Sequence, residues 1–420
     1  MVSVLSFTRQ VFLTLALSLL VNGLVVPSNE DSVALDKRSP GFLKLDFTVA
    51  RGQGKESLNL TSTNKPYFVY HEKSKRATGE PEVTLINEKT FYATDLEIGS
   101  NKQAVTTLID TGSSDLWVVD KSAKCQVTET GQSSTYCYEY GVYDHTKSSS
   151  YHSLGSKFSI EYVDGTSSTG TWVKDDVYFA GTTTGVTQLQ FGDVTTTSSG
   201  FGVLGIGYEA NESTNTEYPN LPVLLKTQGV IAKTAYSLYL AQEDATSGSV
   251  IFGGIDQAKY SGSLITLPVT SSRELAIHLG SVAINGKTIS ANLNPVLDSG
   301  TTLTYLPTKI VASIASALSG TADSSVGYII NCNQPSNKYL TFNFDSGATI
   351  NVPLSELAID LYLTNGQKYQ YCALGVFATS STPILGDNFL RSAYVAYDLD
   401  DNTISLAQVK YTTAENIVPF

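Results

Sequence analysis

Apolar and polar residues alternate over short runs through most of this chain. In residues 157–163, Lys-Phe-Ser-Ile-Glu-Tyr-Val, the side chains of Phe158, Ile160 and Tyr162 fall on every second position, which places them on one face of a strand. Comparable Tyr-, Thr- and Val-rich runs are cut by clusters of Gly, Asn, Asp and Ser, at the spacing of about ten residues expected of short strands joined by turns. Helical patterns are few. Residues 220–229 carry a cap candidate in Asn220, an early Pro222 and a terminal Gly229. Residues 308–318 follow Pro307 and set Ile310, Val311, Ile314, Ala315 and Leu318 on one face. Both patterns predict packing helices in a mostly β protein.

A second pattern overlies the first. Leu108-Ile109-Asp110-Thr111-Gly112-Ser113-Ser114 is echoed 188 residues later by Val296-Leu297-Asp298-Ser299-Gly300-Thr301-Thr302. Each copy follows two aliphatic residues that read as the end of a buried strand. Downstream lie Val203-Leu204-Gly205 and Ile384-Leu385-Gly386, whose glycines come 95 and 88 residues after the respective aspartates. The chain therefore reads as a duplicated lobe, with residues 77–255 forming the first unit and 256–420 the second. One Asp-Thr-Gly alone would be a turn; two in matching contexts put a pair of carboxyls at the centre of the molecule.

With the hairpin Ile160-Glu161-Tyr162-Val163-Asp164-Gly165 and the segment Ile384-Leu385-Gly386-Asp387-Asn388-Phe389-Leu390-Arg391, these motifs resemble the pepsin-like aspartic proteases, over nearly all of residues 77–420. The pattern is most similar to the secreted aspartic proteases of yeasts, the candidapepsin type. The resemblance implies a bilobal fold of two β lobes with a cleft between them, and catalysis by Asp110 and Asp298 without a metal or cofactor. Two carboxyls held about 3 Å apart cannot both ionise cheaply, so they share a proton; one deprotonates a water while the other polarises the peptide carbonyl. By resemblance, the amides of Gly112 and Gly300 approach the inner carboxylate oxygens, Ser113 and Thr301 donate to the outer ones, and Thr111 and Ser299 brace one loop against the other. Tyr162, Val163 and Asp164 belong to a flap over the substrate, Trp117 stands behind it, and Gly112, Gly300 and Thr301 line the same site. Pepstatin-type inhibitors are the expected ligands. Val163 departs from the glycine that often follows the flap tyrosine, which should stiffen the hairpin. A serine nucleophile is the rival chemistry, but His71, His145, His152 and His278 sit in no triad motif.

Arg9 and the apolar run at residues 11–21, followed by Gly23, form an export signal; the run is shorter than the ~20 residues that span a bilayer. Residues 1–23 are thus expected to be removed. The dibasic pairs Lys37-Arg38 and Lys75-Arg76 bracket a pro-segment, with residues 24–76 excised by a kexin-like protease acting after Arg76. Residues 1–76 hold ten basic and six acidic side chains, so the remainder carries a net charge of −16. That acidic body excludes nucleic acid as a partner, suits an enzyme working in acid, and suggests that the basic pro-segment pairs with cleft carboxylates. Export makes disulfides the default for the four cysteines, and three pairings are open; the resemblance favours Cys125 with Cys137 and Cys332 with Cys372, one in each lobe. Sequons stand at Asn59 and Asn211, and only Asn211, in a polar stretch, could carry a glycan on the mature protein. The C-terminus shows no lipid-anchor signal. The expected protein is a secreted, monomeric acid endopeptidase acting on proteins and peptides. The alternatives are a processing protease selective for basic sites and an inactive protease-like binding protein.

Overall fold

The computed structural model describes residues 41–51, 67–70, 90–127, 133–162, 165–242, 245, 247–363 and 365–420. The expected signal peptide (residues 1–23), Arg38, Asn59, Arg76, Val163 and Asp164 lie outside the described residues. Strands dominate, as the alternating pattern predicts. Thirteen of them form one sheet in the spatial order Tyr260–Pro268, Thr403–Val409, Ala393–Asp398, Ala235–Tyr239, Ser247–Phe252, Leu43–Arg51, Thr90–Ile98, Gln103–Asp110, Gly202–Gly205, Leu116–Cys125, Gly185–Thr197, Ser167–Phe179 and His152–Glu161. Thr90–Ile98 also pairs with Ser167–Phe179, which curls the first lobe on itself. Strands from either side of residue 255 meet in this sheet, because Ala235–Tyr239 pairs with Ala393–Asp398. The second lobe adds smaller sheets, one of which joins Val296–Leu297, Ile384–Leu385, Thr304–Pro307 and Val376–Thr379.

The repeated motifs acquire a spatial meaning here. Asp110 ends a strand that runs parallel to Gly202–Gly205, with Leu108 beside Val203 and Asp110 beside Gly205. Asp298 follows a strand that runs parallel to Ile384–Leu385, with Leu297 beside Leu385. The glycine in each echo makes room for the neighbouring Asp-containing loop. A Cβ on Gly205 would stand 2.5 Å from the Ser114 nitrogen, and one on Gly386 would stand 2.2 Å from the Thr301 carbonyl oxygen.

The two helices occur as Leu221–Thr227 and Thr308–Ala317. Asn220 precedes the first without capping it; its Nδ2 donates instead to the carbonyl of Gly207 at 2.8 Å. The second helix buries Ile310, Val311, Ile314 and Ala315, the stripe read from its period. Disulfides join Cys125 to Cys137 and Cys332 to Cys372. Among the described residues, no helix is long and apolar enough to cross a membrane.

Part of residues 24–76, the stretch expected to be a pro-segment, is built into the body. Its strand Leu43–Arg51 lies inside the large sheet, antiparallel to Ser247–Phe252 on one side and to Thr90–Ile98 on the other. Leu43 and Phe47 are buried. A second piece, Tyr67–Tyr70, runs parallel to Ala358–Leu363 in the second lobe. Lys44 pairs with Asp46 and with Glu415, both at 2.7 Å, and not with a carboxylate of the dyad. Among the described residues, backbone ladders and apolar burial attach this stretch to the body.

Candidate active site

Asp110 and Asp298 meet at the centre, both fully buried. Each carboxyl is held in the same way by its own loop. The Gly112 nitrogen donates to Asp110 Oδ1 at 2.8 Å, and the Ser113 hydroxyl donates to Oδ2. The Gly300 nitrogen donates to Asp298 Oδ1 at 2.8 Å, and the Thr301 hydroxyl donates to Oδ2 at 2.6 Å. A Cβ on Gly112 would fall 2.5 Å from Asp298 Oδ1, so no other residue lets the two loops come this close.

The loops lock to one another across the lobes. The Thr111 hydroxyl donates to the Leu297 carbonyl at 2.8 Å and accepts from the Ser299 nitrogen at 2.9 Å. In the mirrored arrangement, the Ser299 hydroxyl donates to the Ile109 carbonyl at 3.0 Å and accepts from the Thr111 nitrogen at 3.1 Å. These four bonds fix the separation of the carboxyls, which is what a shared proton demands. Burial, followed by the charge of Asp298, holds Asp110 well above the usual carboxylate range, although Ser113 and Gly112 partly offset this. Burial also raises Asp298, against hydrogen bonds from Thr301, Asp110 and Gly300 that lower it. The pair titrates as a unit and retains one proton at a pH where ordinary carboxyls have lost theirs.

A family model for eukaryotic aspartyl proteases matches residues 91–409. The chain is 48% identical to candidapepsin-3 of Candida albicans (strain WO-1) over 415 residues, spanning 98% of this chain and 99% of that protein. It is 47% identical to secreted aspartic protease 8 of Candida albicans over 424 residues, covering 99% of each. Secreted aspartic protease 1 of the same species is 46% identical over 415 residues, with 98% and 99% covered. The chain belongs to the eukaryotic aspartyl proteases.

Aspartyl proteases hydrolyse peptide bonds, and the remaining residues here are arranged around that dyad. Tyr162 stands at the end of the strand His152–Glu161, buried, and its hydroxyl accepts a hydrogen bond from Trp117 Nε1. Tyr162 and Trp117, expected as flap and wall, are thus brought together. The described histidines are engaged elsewhere: His145 contacts Asp193, His152 the Ser150 carbonyl, and His278 both Asp345 and Asn292. If closure of this tyrosine shields the dyad from water, Tyr162→Ala lowers kcat/KM by about 10- to 1,000-fold. Tyr162→Phe, which keeps the ring and loses only the bond to Trp117, recovers most of that loss. Steady-state kinetics decide it: an Ala variant within threefold of the parent removes Tyr162 from the flap role.

Asn211, whose sequon could carry a glycan, lies beside the first Asp loop. It is buried, and its Nδ2 donates to the Gly112 carbonyl at 3.0 Å, which supports that loop. It belongs to a buried polar layer that local sequence reading missed. Asp115 accepts from the Ser213 nitrogen at 2.7 Å and the Tyr218 hydroxyl at 2.7 Å, while Glu212 accepts from the Tyr218 nitrogen at 2.9 Å. Burial pushes Glu212 up to about 9, so it is neutral where the enzyme's own carboxyls work. Under the second loop, the Asp387 nitrogen donates to the Thr301 carbonyl at 2.8 Å. Asn388 accepts from the Thr304 hydroxyl at 2.7 Å and donates to the Gly375 carbonyl at 2.6 Å. Asp115 and Asn388 both stand within the motifs that carry the resemblance, and that adjacency was the available signal.

Proposed function

We propose that this aspartyl protease is a secreted acid endopeptidase, made as a zymogen and matured by a kexin-like protease cutting after Lys75-Arg76. The observation that carries the reading is the buried dyad in its mirrored hydrogen-bond frame. In this scheme the ionised carboxyl of the Asp110–Asp298 pair takes a proton from water as that oxygen attacks the peptide carbonyl carbon. The protonated carboxyl donates to the carbonyl oxygen. Collapse of the tetrahedral intermediate breaks the C–N bond, and the leaving nitrogen takes up a proton through the dyad. Ser113, Thr301, Gly112 and Gly300 orient the carboxyls, and Thr111 and Ser299 hold the loops in register. The acidic body and the raised pKa of the pair support work in acid, and the relatives' names support export. The substrates are proteins cut between bulky apolar residues.

A peptide-library digest at several pH values, with and without a pepstatin-type inhibitor, tests this. Cleavage between apolar residues, strongest in acid and abolished by the inhibitor, is expected, because the inhibitor's hydroxyl takes the place of the attacking water. Cleavage confined to basic pairs would establish the processing protease instead, and no cleavage at any pH would establish the inactive binding protein.

A further inference from the structure

Away from the dyad, three ligating side chains converge behind the wall that holds the flap. Asp120 ends the buried part of the strand Leu116–Cys125, three residues beyond Trp117. Asp193 lies on Gly185–Thr197, which pairs with that strand in parallel so that Val118 stands beside Asp193. His145 opens the short turn His145–Lys147, tied to the first strand by the bridge between Asp120 and Tyr143. Ligand atoms from all three residues lie within 4.8 Å of one another.

Both carboxylates are buried and incompletely satisfied. Asp120 Oδ1 is held by the nitrogen of Ser122 at 2.7 Å and by its hydroxyl, whereas Oδ2 is buried without a hydrogen-bond partner among the described residues. That oxygen stands 3.6 Å from His145 Nδ1. Asp193 Oδ2 stands 3.2 Å from the same nitrogen, and Asp193 Oδ1 also lacks a partner. The nearby cations are directed elsewhere: Lys121 reaches Asp144 at 2.7 Å, and Lys147 reaches it at 3.6 Å. Tyr143 donates its hydroxyl to Asp175. Two desolvated carboxylates thus face a single imidazole, an arrangement that costs free energy unless further positive charge joins it.

We propose that Asp120, His145 and Asp193 bind one divalent transition-metal ion, with zinc the best match to the donor set. Ligand atoms about 2.0–2.2 Å from a tetrahedral zinc stand about 3.3–3.6 Å apart, close to the two separations measured from Nδ1. Tyr151 stacks on the imidazole with ring centroids 4.9 Å apart, which fixes its plane, and Ser122 fixes the Asp120 carboxylate. His145 is about one-third exposed, its side chain at 37%, so the ion has a path in and a fourth position for water. The disulfide cysteines take no part. Such an ion clamps the 145–147 turn to the two strands behind Trp117, and acts on stability, not on the hydrolytic step.

The test uses the untagged full chain carrying Asp110→Asn, which prevents self-digestion, stripped with a chelator and titrated with zinc chloride at pH 7. One ion binds per chain with micromolar or tighter affinity, and the melting temperature rises by several degrees. His145→Ala and Asp193→Asn each weaken binding by about a hundredfold. Cobalt in place of zinc gives the intense visible bands of a four-coordinate site in the parent alone. Affinity no tighter than millimolar, parental affinity in His145→Ala, or the weak spectrum of six-coordinate cobalt overturns the site.

Discussion

Asp110→Asn and Asp298→Asn each leave a folded protein whose kcat/KM is lower by at least about a thousandfold. The amide matches the carboxyl in volume; its oxygen still accepts from the Gly112 or Gly300 nitrogen, and its NH2 donates to the Ser113 or Thr301 hydroxyl once that hydroxyl turns, so the frame around it survives. What disappears is the proton shared between two carboxyls. In the parent, one proton must be bound, so activity falls on the acid side when both carboxyls are protonated and on the alkaline side when both are ionised. The raised pKa of Asp110 also has a sign for stability. Below about pH 4 the unfolded and folded carboxyls are both protonated; as pH rises, the unfolded chain ionises first, and stability is lost until the folded pKa is passed. Asp110→Asn removes that loss, so its melting temperature declines less between pH 4 and pH 7 than the parent's. Parallel melting curves at two pH values, together with kinetics, check both halves. Activity within tenfold of the parent in either variant refutes the dyad.

The elements that carry the site were legible because their information is local or repeated. Two Asp-containing loops in matching contexts announced a pair, and alternation of Phe158, Ile160 and Tyr162 announced the strand that leads to Tyr162. What was not legible depends on partners remote in sequence. Asn211 satisfies a sequon by its two following residues, yet its role is set by Gly112, 99 residues away. Asn220 looks like a cap for the helix it precedes, but Gly207 offers its side chain a buried carbonyl, and the buried bond wins over the local one. The glycines of the two echoes are required by atoms of another loop. Net charge drew the eye to the basic residues of 24–76, while Leu43, Leu45 and Phe47, which alternate like any other half-buried strand, went unread.

That strand carries the second large effect: Phe47→Asp in the full chain reduces the yield of folded protein severely. Phe47 is 1% exposed, pairs with Gly248 in the sheet register, and meets Tyr92 edge to face at 5.1 Å. Gly248 exists to admit the ring, since a Cβ there would stand 2.3 Å from it. Truncating a buried Phe costs about 3–5 kcal/mol, and a buried unpaired carboxylate costs more. Against a total stability of about 5–15 kcal/mol, the folded fraction should shift by about a hundredfold or more. Lys44→Ala supplies the contrast, because it removes the ion pairs to Asp46 and Glu415 but leaves the ladder. Both carboxylates are substantially exposed, and pairs of that kind contribute about 0–1 kcal/mol, so its yield stays near the parent's. Processed enzyme recovered from either variant has the parent's kcat/KM, since the proposed cut after Arg76 removes both positions. Soluble secreted yield and chemical denaturation of the full chain separate the two modes of attachment. If Lys44→Ala proves the more damaging, charge and not the strand holds the pro-segment to the body.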